Sequence, residues 1–311
     1  LIYYYINIIY IFYIMFFKNE KGYLELLKYV LDNGEKIKTR NGDTISILGN
    51  MIEFDNININ LPILTTKKIF FKGVIEELLW FLKGHTNAKY LKEKNVHIWD
   101  GNSTREFLDK NNLSNYEENE LGPIYGWQWR NFGKKYKLNG DDEGFDQIKY
   151  ILEELSKNDN SRRAILSAWN PLQLKEMALP PCHILYNFYK NSDGLSCMMT
   201  MRSSDLFLGL PFNILSTAIL TIIIAKVLHI NVSKIKICLA DTHIYEEHIE
   251  AANIQLNREI IENNCTLDII KEAPDLNSEL NEKINWINNL NSEDFKLNNY
   301  KFHSPIKANM K

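Results

Sequence analysis

Cysteine is scarce and scattered. Cys182, Cys197, Cys238 and Cys265 are the only four, and none belongs to a C-x-x-C pair. That spacing speaks against a zinc site or a disulfide framework and points to a reducing, cytoplasmic location. No G-x-G-x-x-G and no P-loop pattern occurs, so a glycine-rich cradle for nucleotide phosphates has no support. No internal repeat is present, which removes solenoid and propeller architectures. A large charge of either sign is also missing: the formal net charge is -3, so any anion binding must be local. The chain lacks an initiator methionine, and "LIYYYINIIYIFYI" precedes Met15. Extended through Phe17, this run barely reaches the roughly 17 residues needed to span a bilayer, and Asn7 interrupts it. We read residues 1–14 as translated upstream sequence, with synthesis beginning at Met15; a membrane anchor or the end of a fusion partner is the other reading. Residues 15–311 are expected to form one domain, with 45% hydrophobic content ample for a core.

What is present is a mixture of helical and strand patterns. "GYLELLKYVLDNGEK" from Gly22 has apolar residues at helical spacing and an Asn-Gly stop. "TRNGDTISILGNMIEFD" reads as a turn and then an alternating strand. In the helix "KGVIEELLWFLKG", Glu76 shares a face with Lys72 and Lys83, whereas Glu77 falls beside Val74, Trp80 and Phe81. Glu76 is therefore expected in solvent and Glu77 in the core. "STREFLDKNNLSNYEENE" and "GKKYKLNGDDEG" read as surface loops. "RAILSAWN", "CHILYNFYK", "LSCMMTMRSS" and "KIKICLADTHIY" predict four strands in the second half. Between the third and fourth, "PFNILSTAILTIIIAKVLHI" predicts a buried core helix with Pro211 in its first turn. The fold class is α+β, a mixed sheet with helices.

One cysteine stands out. Pro180 and Pro181 force an extended approach to Cys182, so Cys182 and His183 should point to opposite sides of a strand. His183 is then a poor base for Cys182, and thiolate formation would need nearby positive charge. Arg40, Arg162, Arg163 and Arg202 could supply it. Adjacent arginines are commonly a solvated surface, but Arg162 and Arg163 precede a strongly apolar strand. Arginine forks converging on one dianion would lower a neighbouring thiol's pKa.

As an ordered set, "EELLWFLKGHTN", "LGPIYGWQWR", "SRRAILSAWN", "MALPPCHILYNFY", "LSCMMTMRSSDLFLGLPFNI" and "ADTHIYEEH" resemble the thymidylate synthase family. The resemblance runs from about Gly22 to the C-terminus. It implies a central mixed sheet flanked by helices and dimerising through the sheet. It also implies reductive methylation of dUMP to dTMP with 5,10-methylenetetrahydrofolate as cosubstrate, without a metal. Cys182 then matches the nucleophile that adds to uracil C6, a covalent step that activates C5. Arg202, Arg40 and Ser203 match phosphate ligands, and Arg162 and Arg163 match a pair donated across a homodimer interface. Asn213 matches the amide that pairs with the uracil edge, although a local helix cap is the other reading of that position. His243 and Tyr245 match ligands of the ribose 3′-hydroxyl; their i, i+2 spacing puts both on one strand face. Glu77 matches the catalytic glutamate, Tyr125 and His183 match members of a proton-handling water network, and burial should raise the pKa of Glu77 toward neutrality. Ile98, Trp99, Leu179, Leu208, Gly209 and Phe212 match a folate-contacting wall, with Asp205 and Asn102 as polar contacts to the pterin and Asp205 among the catalytic group.

The chain also departs from the family pattern. "RNGDTIS" is one residue shorter than the usual phosphate loop and carries Asp43. Met201, Ser204, Ala240 and Glu247 replace more usual residues, and the chain ends at Lys311 rather than on the customary apolar pair. Within the same fold, a pyrimidine hydroxymethylase is an alternative, which Asn213 and Trp99 disfavour. A ligand-binding paralogue without turnover is another. No nucleic-acid or membrane partner is expected for the domain.

Overall fold

The computed structural model describes residues 17–136, 144–157, 161–262 and 264–309. The expectations for residues 1–14, for most of "GKKYKLNGDDEG" and for Lys311 lie outside them. In chain order the first half holds β1 (Phe17–Lys18), α1 (Asn19–Asn33), β2 (Glu35–Ile37), β3 (Thr44–Asp55) and α2 (Phe71–Leu82). Short helices α3 (Lys89–Glu93), α4 (Asp100–Ser103), α5 (Arg105–Lys110) and α6 (Tyr125–Asn131) follow. The second half holds α7 (Gln147–Lys157), β4 (Ile165–Ser167), β5 (His183–Asn191), β6 (Gly194–Asp205), α8 (Gly209–Val227) and β7 (Val232–Tyr245). It closes with α9 (Ile249–Leu256), β8 (Thr266–Ile269), α10 (Leu280–Asn288) and β9 (Phe295–Asn298).

Seven strands form one sheet in the order β1-β3-β7-β6-β5-β4, with β2 also paired to β3. The sheet is mixed: β6 runs parallel to β7, while β5–β6 and β3–β7 are antiparallel. The tight β5–β6 connection needs Gly194, at φ 120°, where a Cβ would lie 2.3 Å from the Asn231 carbonyl oxygen. A parallel pair requires a long crossover, and α8 supplies it between β6 and β7. Although α8 is long and apolar enough to cross a membrane, 78% of its most apolar window is buried inside the fold. It packs on β6 and β7 as a core helix, as its all-round hydrophobicity predicts.

Cys197, Met199 and Met201 of β6 and Ile235, Ile237 and Leu239 of β7 point into this core. Across β3, α1 buries Leu26, Leu27 and Val30 completely, each stabilising the fold by about 2 kcal/mol. The opposite sheet face is half-exposed and carries Tyr189, Met198, Thr200 and Cys238.

Four expectations change. The first helix begins at Asn19 rather than Gly22, and "STREFLDKNN" is largely helical, since α4 and α5 occupy it and Thr104 caps α5 by accepting from the Phe107 N–H. Among the described residues the second half has six strands rather than four, because β8 and β9, on either side of α10, pair as a separate two-stranded antiparallel sheet. Glu76 is buried, at 2% exposure, rather than solvated. Nine of the twelve α2 residues are buried, because α6, α8 and the segment around residues 292–294 pack around it. No twelve-residue window reveals that distant cover.

Candidate active site

Cys182 sits immediately before β5, where the two prolines deliver the chain to the sheet. Opposite it on β6 is Arg202, whose backbone N–H donates to the Cys182 carbonyl at 2.9 Å. The guanidinium folds back over the same turn: Nε donates to the Pro181 carbonyl at 2.8 Å and Nη2 to the Pro180 carbonyl at 2.8 Å. Prolines have no N–H, so these carbonyls lie on a turn that cannot continue the sheet ladder, and Arg202 satisfies them. Nη2 lies 3.8 Å from Cys182 Sγ. Burial pushes the thiol pKa up, and Arg202 pulls it down without overcoming burial, so the net shift is upward. The expected thiolate therefore does not follow from this chain's arginine alone.

On the other side of Cys182 the surroundings are aromatic. The loop before α6 is drawn in by the Ala178 N–H donating to the Leu121 carbonyl at 2.9 Å. Gly122, at φ 76°, permits the approach, because a Cβ there would stand 2.0 Å from the Glu176 carbonyl oxygen. Tyr125 at the start of α6 consequently reaches Cys182, whose backbone N–H donates to the phenol oxygen at 2.7 Å. Tyr125 stacks on His183 with ring centroids 4.1 Å apart and touches Phe81 and Trp99. His183 Nδ1 lies 3.0 Å from the Tyr186 hydroxyl. Full enclosure depresses the His183 pKa to about 3, so the ring is neutral at ordinary pH. The His183 ring is enclosed by Phe81, Tyr125, Trp129 and Tyr186, whereas Cys182 Sγ lies beside Arg202.

Glu77 projects from α2 toward the same cleft and accepts from Trp99 Nε1 at 2.7 Å. Desolvation raises its pKa to about 7, outweighing the Trp99 hydrogen bond that opposes it. The expected rise in the Glu77 pKa is present, but the side chain is half-buried rather than fully in the core, and it is Glu76 that is fully covered.

The polar end of the site is built across β3, β6 and β7. Asp241 lies in register with Ser203, and His243 with Ser46. Asp241 Oδ1 accepts from Ser46 Oγ at 2.6 Å, and Oδ2 accepts from Ser203 Oγ at 2.8 Å. Oδ2 also lies 3.1 Å from His243 Nδ1. The His243 hydrogen bond first, then Ser46 and Ser203, holds the Asp241 carboxyl well below the usual carboxylate range against its partial burial. Tyr245, two residues on, packs edge-on to His243 with centroids 5.2 Å apart, as the i, i+2 spacing predicts. Asp205 Oδ1 accepts the Phe207 and Leu208 N–H groups at 2.9 and 3.2 Å, which shapes the turn into α8. Asn213 does not cap α8: the side chain makes no cap bond there and is half-buried. Asp241 and Ser46 are absent from the sequence-based site. For Asp241 the signal was available, because Asp241, His243 and Tyr245 alternate on one strand face. Ser46 becomes a neighbour only through the β3–β7 pairing.

The thymidylate synthase family model matches residues 21–311. The chain belongs to the thymidylate synthase family. It is 49% identical over 243 residues to a bifunctional dihydrofolate reductase-thymidylate synthase of Paramecium tetraurelia, covering 77% of this chain and 52% of that protein. A bifunctional dihydrofolate reductase-thymidylate synthase of Leishmania major is 49% identical over 245 residues, covering 77% and 47% of the two chains. A putative bifunctional dihydrofolate reductase-thymidylate synthase of Oryza sativa subsp. japonica is 42% identical over 295 residues, covering 94% and 57%. The chain spans about half the length of these curated relatives.

Within this thymidylate synthase domain the four arginines are not equivalent. Arg202 alone reaches Cys182 among the described residues; Arg40, Arg162 and Arg163 are exposed. Arg40 rides a tight turn in which Thr39 Oγ1 donates to the Gly42 carbonyl at 2.6 Å, and a Cβ at Gly42 would stand 3.6 Å from the Tyr245 ring. Ile98, Leu179, Leu208 and Phe212 are only partly buried against the core, and Trp99 is held by Glu77. Such incompletely covered apolar side chains, with Gly209, Asn102 and Asp205 half-open beside them in the chain, suit a flat heteroaromatic ligand. A cavity of about 760 Å³ lined by Glu20, Pro62, Thr65 and Ile261 contains none of these residues.

Proposed function

We propose that this chain is a thymidylate synthase, converting dUMP to dTMP with 5,10-methylenetetrahydrofolate. The observation that carries the reading is the Cys182 thiol beside Arg202, at 3.8 Å, within a site whose other groups are a carboxyl poised near neutrality and a neutral histidine. Addition of the Cys182 thiolate to uracil C6 makes C5 nucleophilic, and expulsion of the thiolate at the end restores the enzyme. When bound, the folate supplies the one-carbon unit and the hydride. Glu77, with its pKa of about 7, is suited to take and return protons at the uracil O4 side. Tyr125 fixes the Cys182 backbone and, with His183 behind it, lines the path for the C5 proton. Asn213 offers a donor and an acceptor to the uracil edge.

His243 and Tyr245 meet the ribose 3′-hydroxyl, while Arg202, Arg40 and Ser203 meet the phosphate, for which Ser203 must turn its one proton away from Asp241. Ile98, Trp99, Leu179, Leu208, Gly209 and Phe212, with Asn102 and Asp205, hold the folate rings. The active form is a homodimer in which Arg162 and Arg163 of a second copy complete the phosphate site. Their exposure supports this, and so does the half-exposed sheet face around Met198 and Tyr189. The added positive charge would offset the burial that keeps the Cys182 thiol protonated.

The test is direct. Chain expressed from Met15 is mixed with dUMP and methylenetetrahydrofolate, and dihydrofolate absorbance is followed with product analysis. Equal amounts of dTMP and dihydrofolate are expected. A 5-hydroxymethyl product, or binding without product, would overturn the proposal in favour of a hydroxymethylase or a non-catalytic relative.

A further inference from the structure

We propose that Asp241 is a positioning residue that locks His243 in the Nδ1–H tautomer, so that His243 Nε2 is the acceptor that selects a nucleotide bearing a 3′-hydroxyl. This inference rests on the substrate reading above and assigns the selection to a residue that is not itself expected to touch the substrate. The geometry is specific. An ionised carboxylate only accepts hydrogen bonds, so every polar neighbour of Asp241 must be a donor. Ser46 Oγ supplies one at 2.6 Å, Ser203 Oγ a second at 2.8 Å and His243 Nδ1 a third at 3.1 Å. The third bond places the imidazole proton on Nδ1. His243 is only 7% exposed, its ring is braced edge-on by Tyr245, and Tyr245 in turn rests against Phe207-contacting His248 at 5.7 Å between centroids. The ring therefore has little room to flip, and in the neutral form Nε2 is left as a lone-pair acceptor. A ribose 3′-hydroxyl can donate to that nitrogen, whereas a sugar lacking the hydroxyl leaves it unpaired.

The same carboxylate bridges three strands. Ser46 on β3 and Ser203 on β6 hold it from both sides of β7, so its orientation is set by the sheet and not by the ligand. In the ligand-free site Asp241 thereby holds both Ser203 and His243, and once Ser203 turns its proton to the phosphate, Ser46 and His243 remain its donors. With Asn at 241, one carboxamide oxygen is left for three donors, and an NH₂ faces whichever of them loses its acceptor.

The experiment has two readouts. Nitrogen-15 spectra of the seven histidines, with His243 assigned through a His243→Gln variant, report the tautomer in ligand-free protein. The Nδ1–H form is expected in the wild type and its loss in Asp241→Ala, with Asp241→Asn as the milder variant that keeps side-chain volume. Binding is then compared for dUMP and 2′,3′-dideoxyuridine 5′-monophosphate. Asp241→Asn should weaken dUMP roughly tenfold and the 3′-deoxy analogue by less than about twofold, with KM for dUMP rising far more than kcat falls. An Nε2–H tautomer in the wild type, or equal weakening of both nucleotides, would overturn the proposal. If the wild type binds no dUMP, the substrate reading fails, and the tautomer measurement still decides whether Asp241 positions His243.

Discussion

The two ends of the site treat ionisable groups in opposite ways. Around Cys182, Tyr125, His183 and Glu77, burial dominates and favours neutral forms: the thiol and phenol pKa values rise, the histidine falls to about 3 and the carboxyl rises to about 7. Around Asp241, partial exposure and donated hydrogen bonds favour the charged form. The difference is one of coverage. The aromatic end lies under α2 and α6, where water is displaced by Phe81, Trp99 and Trp129. The polar end lies across three neighbouring strands inside the sheet, whose side chains point donors at one acceptor. A thiol kept protonated by burial and a carboxylate kept ionised by its donors thus lie beside one sheet.

The largest effect expected from breaking this contrast is at Cys182. Cys182→Ala should reduce turnover to background while leaving the melting temperature close to wild type, because only a small side chain is lost; a variant with wild-type turnover would remove the nucleophile assignment. Glu77→Gln comes next. The folded carboxyl binds its proton more tightly than the unfolded one, so its stabilising contribution is complete below about pH 4.5 and is lost as pH rises to about 7. Replacing it should abolish a stability decline on the order of 3 kcal/mol across that window, measurable by urea unfolding at several pH values. An unchanged slope would show that Glu77 is not desolvated.

Arg202→Gln should move the pH midpoint of Cys182 alkylation upward and cost about 2 kcal/mol of stability by leaving the Pro180 and Pro181 carbonyls unpaired. An unmoved midpoint would mean that the guanidinium does not act on the thiol. The smallest effect is expected for Ser46→Ala, which removes one of three donors from a partly exposed carboxylate and should cost about 1 kcal/mol or less, read as a shift in the urea midpoint. A loss comparable to that of Arg202→Gln would show the polar end to be as tightly built as the buried one.

Local pattern carried much of this protein. Alternation and apolar runs are sufficient for β3 to β7, and the all-round hydrophobicity of α8 predicts its burial, because these signals repeat within a window shorter than the element itself. The separation of Cys182 from His183 also follows from two prolines and strand geometry, and the pairing of His243 with Tyr245 follows from i, i+2 spacing. Glu76 shows where such reasoning ends: its helix face looks polar, yet α6, α8 and residues near 292–294 cover it. The upward shift of the thiol pKa likewise depends on how much water the folded chain removes from around Cys182, and the Asp241 cluster depends on strand pairings between residues separated by 195 and 38 positions. Residue types and periods determined most of the elements, because backbone preference and amphipathicity are local, and the resemblance of the ordered motifs to a family named most of the chemical groups. Which groups are desolvated, and which donors share one carboxylate, was decided only by the tertiary structure, because water exclusion and cross-strand register arise from contacts between distant segments.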